Sequence, residues 1–151
     1  MAERRNTERV KDWLWRYRKA KMDVLGLEAE YESLLIAQES ARAVRYDGTG
    51  SSGRIADLSD LMVARERVME HLVQKQKEMS DSCSEIIDAA NRIGGLKGTI
   101  IILRYVRLKN GYRPNSLADI ARMLDYSTSH VKRIHQTALE ELEKSIPNDT
   151  K

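Results

Sequence analysis

Ser116-Leu117-Ala118-Asp119-Ile120-Ala121-Arg122-Met123-Leu124-Asp125-Tyr126-Ser127-Thr128-Ser129-His130-Val131-Lys132-Arg133 is the stretch whose reading decides the fold of this 151-residue chain. Ser116 followed three residues later by Asp119 is a capping box: the hydroxyl accepts from the amide three residues on, and the carboxylate reaches back to the positive helix end. The helix opened there carries Leu117, Ile120, Ala121 and Leu124 on one face, and the small Ala121 lets a neighbouring helix come close. Asp125-Tyr126-Ser127 forms a turn, and Ser127 caps a longer helix from Thr128 to about Ile146, ended by Pro147. Two helices joined by so short a turn predict a helix-turn-helix from Ser116 to roughly Leu142.

Within the longer helix Val131, Ile134, Ala138 and Leu142 recur at helical spacing and face inward. The other face holds Thr128, Ser129, His130, Lys132, Arg133, His135 and Gln136, rich in hydrogen-bond donors and free of carboxylates until Glu140. In a helix-turn-helix the N-terminal part of the second helix enters the major groove, and its end amides meet phosphate. Thr128, Ser129, Lys132 and Arg133 are therefore the expected base contacts on double-stranded DNA, with Arg133 suited to bidentate pairing with guanine. Lys132 equally suits a phosphate. Ser127, His130, His135 and Gln136 are assigned to phosphates or secondary contacts, as are Arg104, Arg107, Lys109, Arg113 and Arg122 on the supporting elements. A helix expected over Leu96 to Lys109, with Leu96, Ile100 and Leu103 on one side, is stopped by Asn110-Gly111. The run Ile100 to Leu103 would also suit a buried strand, but no second strand candidate exists to pair with it.

Upstream, one stripe of Val10, Tyr17, Val24, Tyr31, Gln38 and another of Trp13, Ala20, Leu27, Leu34, Ala41 repeat every seven residues. They predict a long helix from about Thr7 to Val44 whose seam packs on a partner helix, widened by Leu14 and Leu35. Asp47 to Gly53 holds three glycines and three hydroxyl residues and reads as a flexible reversal, with the loop set at 47–54. A second long helix follows, with stripes Ile55, Met62, Met69, Gln76, Cys83, Ala90 and Leu58, Arg65, Leu72, Met79, Ile86, Ile93. The expected fold is all-α: a coiled-coil-like antiparallel hairpin over 1–95, broken at Gly94-Gly95, then a helix-turn-helix domain over 96–151. Leu14, Leu35, Leu61 and Val68 are left over by a single seam, which suggests a homodimer formed through the hairpin.

Charge is unevenly spread. Met1 to Met22 has 8 basic and 3 acidic residues, Asp23 to Gly95 has 8 and 14, and Leu96 to Leu139 has 8 and 2. The last surplus coincides with the helix-turn-helix, as a phosphate footprint requires. Cys83 stands alone, so no internal disulfide can form, and it lies on an apolar stripe rather than among metal ligands. His130 and His135 are five apart and do not share a face as a metal pair would, and no phosphate-cradling glycine loop is present. The expectation is a protein without catalytic residues, metal or cofactor. No run approaches the ~20 apolar residues of a membrane span, so no membrane partner and a bacterial cytoplasmic location are expected.

Leu103-Arg104-Tyr105-Val106, then Leu117 to Ser127, then Val131, Ile134, His135, Ala138-Leu139 and Leu142 form a pattern that resembles region 4 of bacterial sigma-70 family factors. The whole chain resembles the small sigma-like regulators of prophages, including the ArpU and RinA type late-transcription activators, in which a helical hairpin precedes the helix-turn-helix. The resemblance implies control of phage or prophage genes, Thr128, Ser129, Lys132 and Arg133 as the base-contacting face, and RNA polymerase as a partner. Asp125 stands where such turns often have glycine, a place Asp tolerates because it visits left-handed backbone. No region that melts promoters is recognisable. Two rivals stay open: a phage small terminase subunit, to be told apart by forming a ring of many subunits, and a helical scaffold that never touches DNA.

Overall fold

The computed structural model describes residues 2–46 and 52–146, with side chains described for 6–43 and 58–146. Six helices follow in order: α1 Ala2–Leu14, α2 Arg16–Tyr46, α3 Ser52–Ile93, α4 Gly95–Tyr105, α5 Leu117–Leu124 and α6 Thr128–Ser145. The all-α class and the C-terminal helix-turn-helix are as expected. Most of the glycine-rich reversal lies outside the described residues, but α3 begins at Ser52, so the last residues assigned to that loop are helical. The described chain forms two compact units, one of residues up to Ala20 together with those from Glu78 onward, the other Lys21–Lys77. The expected boundary at Gly94-Gly95 falls inside the first.

In the second unit, Arg65 donates to Gln38 Oε1 at 3.1 Å and Lys75 pairs with Asp23 at 3.5 Å. As α3 numbers rise, the α2 partners fall, which is antiparallel pairing. Along α2 the predicted stripes hold: Val24 and Gln38 are buried, and Tyr31, Leu27, Leu34 and Ala41 are half-buried. Along α3 only one does. Leu58, Arg65 and Leu72 face α2, but the companion stripe is Leu61, Val68 and Lys75, one residue earlier than expected, which leaves Met62 and Met69 exposed. Both phases satisfy a 3.5-residue repeat. The long apolar side chains pointed to the wrong one.

In the first unit, the helix expected to run unbroken from Thr7 divides at Trp15, although Trp15 N still donates to Lys11 O at 2.8 Å and Lys19 N to Trp15 O at 2.9 Å. Helix α1 does not merely extend a hairpin seam. Val10 and Leu14 are buried with Ile86, Ala89 and Ala90 of α3, Ile101 and Tyr105 of α4, and Ala138, Leu139, Leu142 and Ile146. Arg9 also reaches the Glu143 carbonyl at 3.4 Å. Leu14 is thus core of the C-terminal module, at roughly 2 kcal/mol for a buried leucine. Val68 is buried as well, and Leu35 and Leu61 are half-buried.

The break between α3 and α4 sits at the glycine pair: both have positive φ, 63° and 59°. The chain turns there and lays α4 so close to the end of α3 that a Cβ on Gly98 would come within 2.4 Å of the Ala90 carbonyl oxygen. Among the described residues no helix is long and apolar enough to cross a membrane.

Candidate nucleic-acid interface

The interface rests on a three-helix support. Ile100 of α4, Ile120 and Ala121 of α5 and Val131 of α6 are buried together, with Leu96, Leu103, Leu117, Leu124 and Ile134 packed around them. Ala121 supplies the close approach that its size predicted.

Helix α5 starts as its capping box requires. Ser116 Oγ accepts from Asp119 N at 3.0 Å, and Asp119 accepts from Ser116 N at 3.2 Å. Asp119 also accepts from Lys109 and Arg122. These bonds, that from Lys109 first and those to Ser116 next, hold its carboxyl well below the usual carboxylate range. Helix α5 ends on Asp125 at φ 61°, ψ 44°, left-handed, with Tyr126 N donating to Ala121 O at 2.9 Å, the closure of a Schellman turn. Ser127 then caps α6 by accepting from His130 N at 3.2 Å.

On α6, Thr128, Ser129, Lys132, Arg133 and Gln136 are exposed, as is Ser127. Their spacing puts them on one strip of the helix. Lys132 and Arg133 have no ion-pair partner among the described residues, so both heads are available to a ligand. His130 is half-buried, its ring 5.1 Å from that of Tyr126.

His135 is a correction. It points inward, only 6% exposed, with Nε2 2.9 Å from the Tyr105 hydroxyl and the two rings stacked at 5.8 Å. Burial, with Arg104 and Lys11 nearby, pushes its pKa down to about 4. The imidazole is therefore neutral near pH 7, and it shares one hydrogen bond with the tyrosine hydroxyl. Burial also raises the Tyr105 hydroxyl. The inward face carries His135 beside Val131, Ile134, Ala138 and Leu142, so His135 does not stand on the exposed strip.

Arg104 is a second correction. Its guanidinium donates to the Asn115 carbonyl at 2.8 Å and lies over the rings of Trp15 at 5.5 Å and Tyr105 at 5.7 Å. It braces the interior instead of reaching outward. Arg107 and Arg113 are exposed, and Arg122 is exposed while bound to Asp119. Arg113 is presented by a tight reversal. Helix α4 ends at Tyr105, earlier than expected, and Lys109 and Arg113 pair through their backbones at 2.6 and 2.9 Å across Asn110, Gly111 and Tyr112. Asn110 and Gly111 both have positive φ, 52° and 82°, as the central residues of a type I′ turn need, and Tyr112 N closes that turn on Lys109 O at 3.0 Å. Arg18 holds this turn by donating to Tyr112 O at 2.9 Å.

Sequence reasoning missed Asn115. Buried, it donates to Leu103 O at 2.8 Å and Arg107 O at 2.7 Å, tying the end of α4 to the start of α5. Its place after Pro114 resembled ordinary loop, and only the two carbonyls freed by the early end of α4 explain it. Trp13, Trp15, Arg16 and Arg18 are occupied internally: both tryptophans pack on the core, Arg16 bonds Trp13 O at 3.0 Å and Glu85 at 2.6 Å, and Arg18 bonds Tyr112 O.

Residues 98–144 match the family model of sigma-70, region 4. Comparison with curated proteins and with solved structures finds no match. The matched span covers most of α4, all of α5 and nearly all of α6, including the capping box, the left-handed turn and the exposed strip of α6. Its family is one of regulatory DNA-binding domains and not of enzymes. The C-terminal part of this chain is a helix-turn-helix similar to sigma-70 region 4.

Proposed function

We propose that the protein is a sequence-specific transcriptional regulator that reads double-stranded DNA with the N-terminal half of α6. The observation that carries this reading is the strip Thr128, Ser129, Lys132, Arg133, exposed, unpaired in its charges and set on a capped helix end. Those four residues meet base edges, Arg133 pairing with guanine. Ser127, His130, Gln136, Arg107, Arg113 and Arg122 contact the sugar-phosphate backbone and fix the register. The genes controlled are those of a phage or prophage, and RNA polymerase is the second partner, a reading supported by the likeness to sigma-like prophage regulators and by the region 4 match. The domain division that serves this function is a hairpin followed by the DNA-reading module from about residue 96, with α1 bracing the back of α6.

Selection of retained duplexes from a random DNA pool by the full chain at moderate salt tests the proposal. An enriched motif supplies the operator and supports it. A folded protein that retains DNA with no enriched motif overturns sequence-specific reading.

A further inference from the structure

Seven of the nine large apolar side chains exposed among the described residues lie in the second unit. The helix-turn-helix exposes only Met123 and Tyr126. Four of the seven gather on one flank. On α3, Met62 and Met69 follow the seam residues by one position and Val73 lies next to them around the helix; on α2, Leu25 lies in the equivalent position beyond Val24. In an antiparallel pair these positions fall on the same side. A cavity of about 360 Å³ opens beside Met69, lined also by Tyr31, Arg65, Glu66 and Glu70.

The flank is acidic. Glu66 and Glu70 border the cavity, and Glu28 and Glu32 occupy the matching flank of α2; all four are exposed, and none has a cationic partner among the described residues. Arg65 does not neutralise them, because its guanidinium is turned into the seam toward Gln38. An apolar strip with methionines, bordered by unpaired carboxylates, matches a helix with an apolar face flanked by lysine and arginine. A second copy of this chain would bring two acidic rims together, which like charge disfavours.

We propose that this flank of the hairpin is a docking surface for a basic amphipathic helix of a partner protein. The apolar strip supplies contact area, and the carboxylates orient the helix and exclude acidic competitors. None of these residues takes part in the DNA reading, so the two can fail separately.

The test uses the full chain and a fluorescent amphipathic peptide of leucine and lysine, about five helical turns long, with a leucine and glutamate peptide as counterpart, followed by anisotropy. Binding of the basic peptide alone is expected. It should weaken roughly tenfold or more in Met62→Ser/Met69→Ser/Val73→Ser and in Glu66→Lys/Glu70→Lys, both with unchanged helicity. The charge-matched variant Glu30→Lys/Asp60→Lys, changed away from this flank, should bind like wild type. Equal loss in both charge variants would reduce the effect to bulk electrostatics and overturn the proposal. So would no peptide binding, or concentration-dependent dimerisation abolished by the triple serine variant.

Discussion

His135 lies in the middle of the recognition helix, yet its environment is that of a core residue. Its folded pKa, about 4, is below its ordinary 6.5. Above pH 6.5 both folded and unfolded states hold it neutral and it has no effect on stability; as pH falls, the unfolded state takes up the proton first, so stability is lost between about 6.5 and 4. The lost stability approaches roughly 3 kcal/mol at the lower end. In His135→Gln, which keeps a hydrogen-bond partner for Tyr105, urea midpoints should fall less steeply across that window than in wild type. Asp125 makes the opposite point about local backbone. At φ 61° it holds a conformation that aspartate tolerates and β-branched residues do not. Asp125→Val should cost about 1 to 2 kcal/mol in chemical denaturation, whereas Asp125→Gly should be neutral or slightly stabilising. The Asp125 turn and the Ser116–Asp119 box were legible because each depends on residues within a few positions. His135 was not, because Ile134 already satisfied the inward spacing and nothing in the sequence showed that its polar neighbour is buried beside it.

At the scale of elements the same competition governs α3. A seven-residue repeat fixes that a seam exists, but two phases one residue apart were available, and the true one accepts Lys75 and Ser82. Both polar groups are provided for: Lys75 pairs with Asp23, and Ser82 Oγ donates to Glu78 O at 2.7 Å. Nothing in a hydropathy pattern reports such partners. The junction of α3 and α4 was legible in its glycine pair but not in Gly98, whose absent side chain is what lets α4 approach Ala90. Gly98→Ala should therefore destabilise by about 1 to 3 kcal/mol, despite alanine's better helix propensity, as a lowered thermal midpoint would show. Ser116→Ala, which removes half of the capping box, should cost about 1 kcal/mol and leave the rest of the fold intact.

For the molecule as a whole, the main result is that the DNA-reading module is not closed by its own sequence. Its core takes Val10 and Leu14 from the first helix and Ile86, Ala89 and Ala90 from the third, contacts that no local pattern could reveal because they are distant in sequence, those between α1 and α6 by more than a hundred positions. Leu14→Ala should cost about 2 to 5 kcal/mol and lower helix-turn-helix and hairpin signals in one transition. The central claim, that α6 reads bases through Arg133, is tested most directly by measuring affinities of wild type and Arg133→Ala for the selected operator and each of its single-base substitutions. Arg133→Ala should lose discrimination at one guanine, roughly 1 to 3 kcal/mol, and keep it elsewhere, whereas Arg113→Ala, at a backbone contact, should weaken every duplex alike and lower the salt slope by about one. An Arg133→Ala protein that retains the full base preference of wild type would contradict the account.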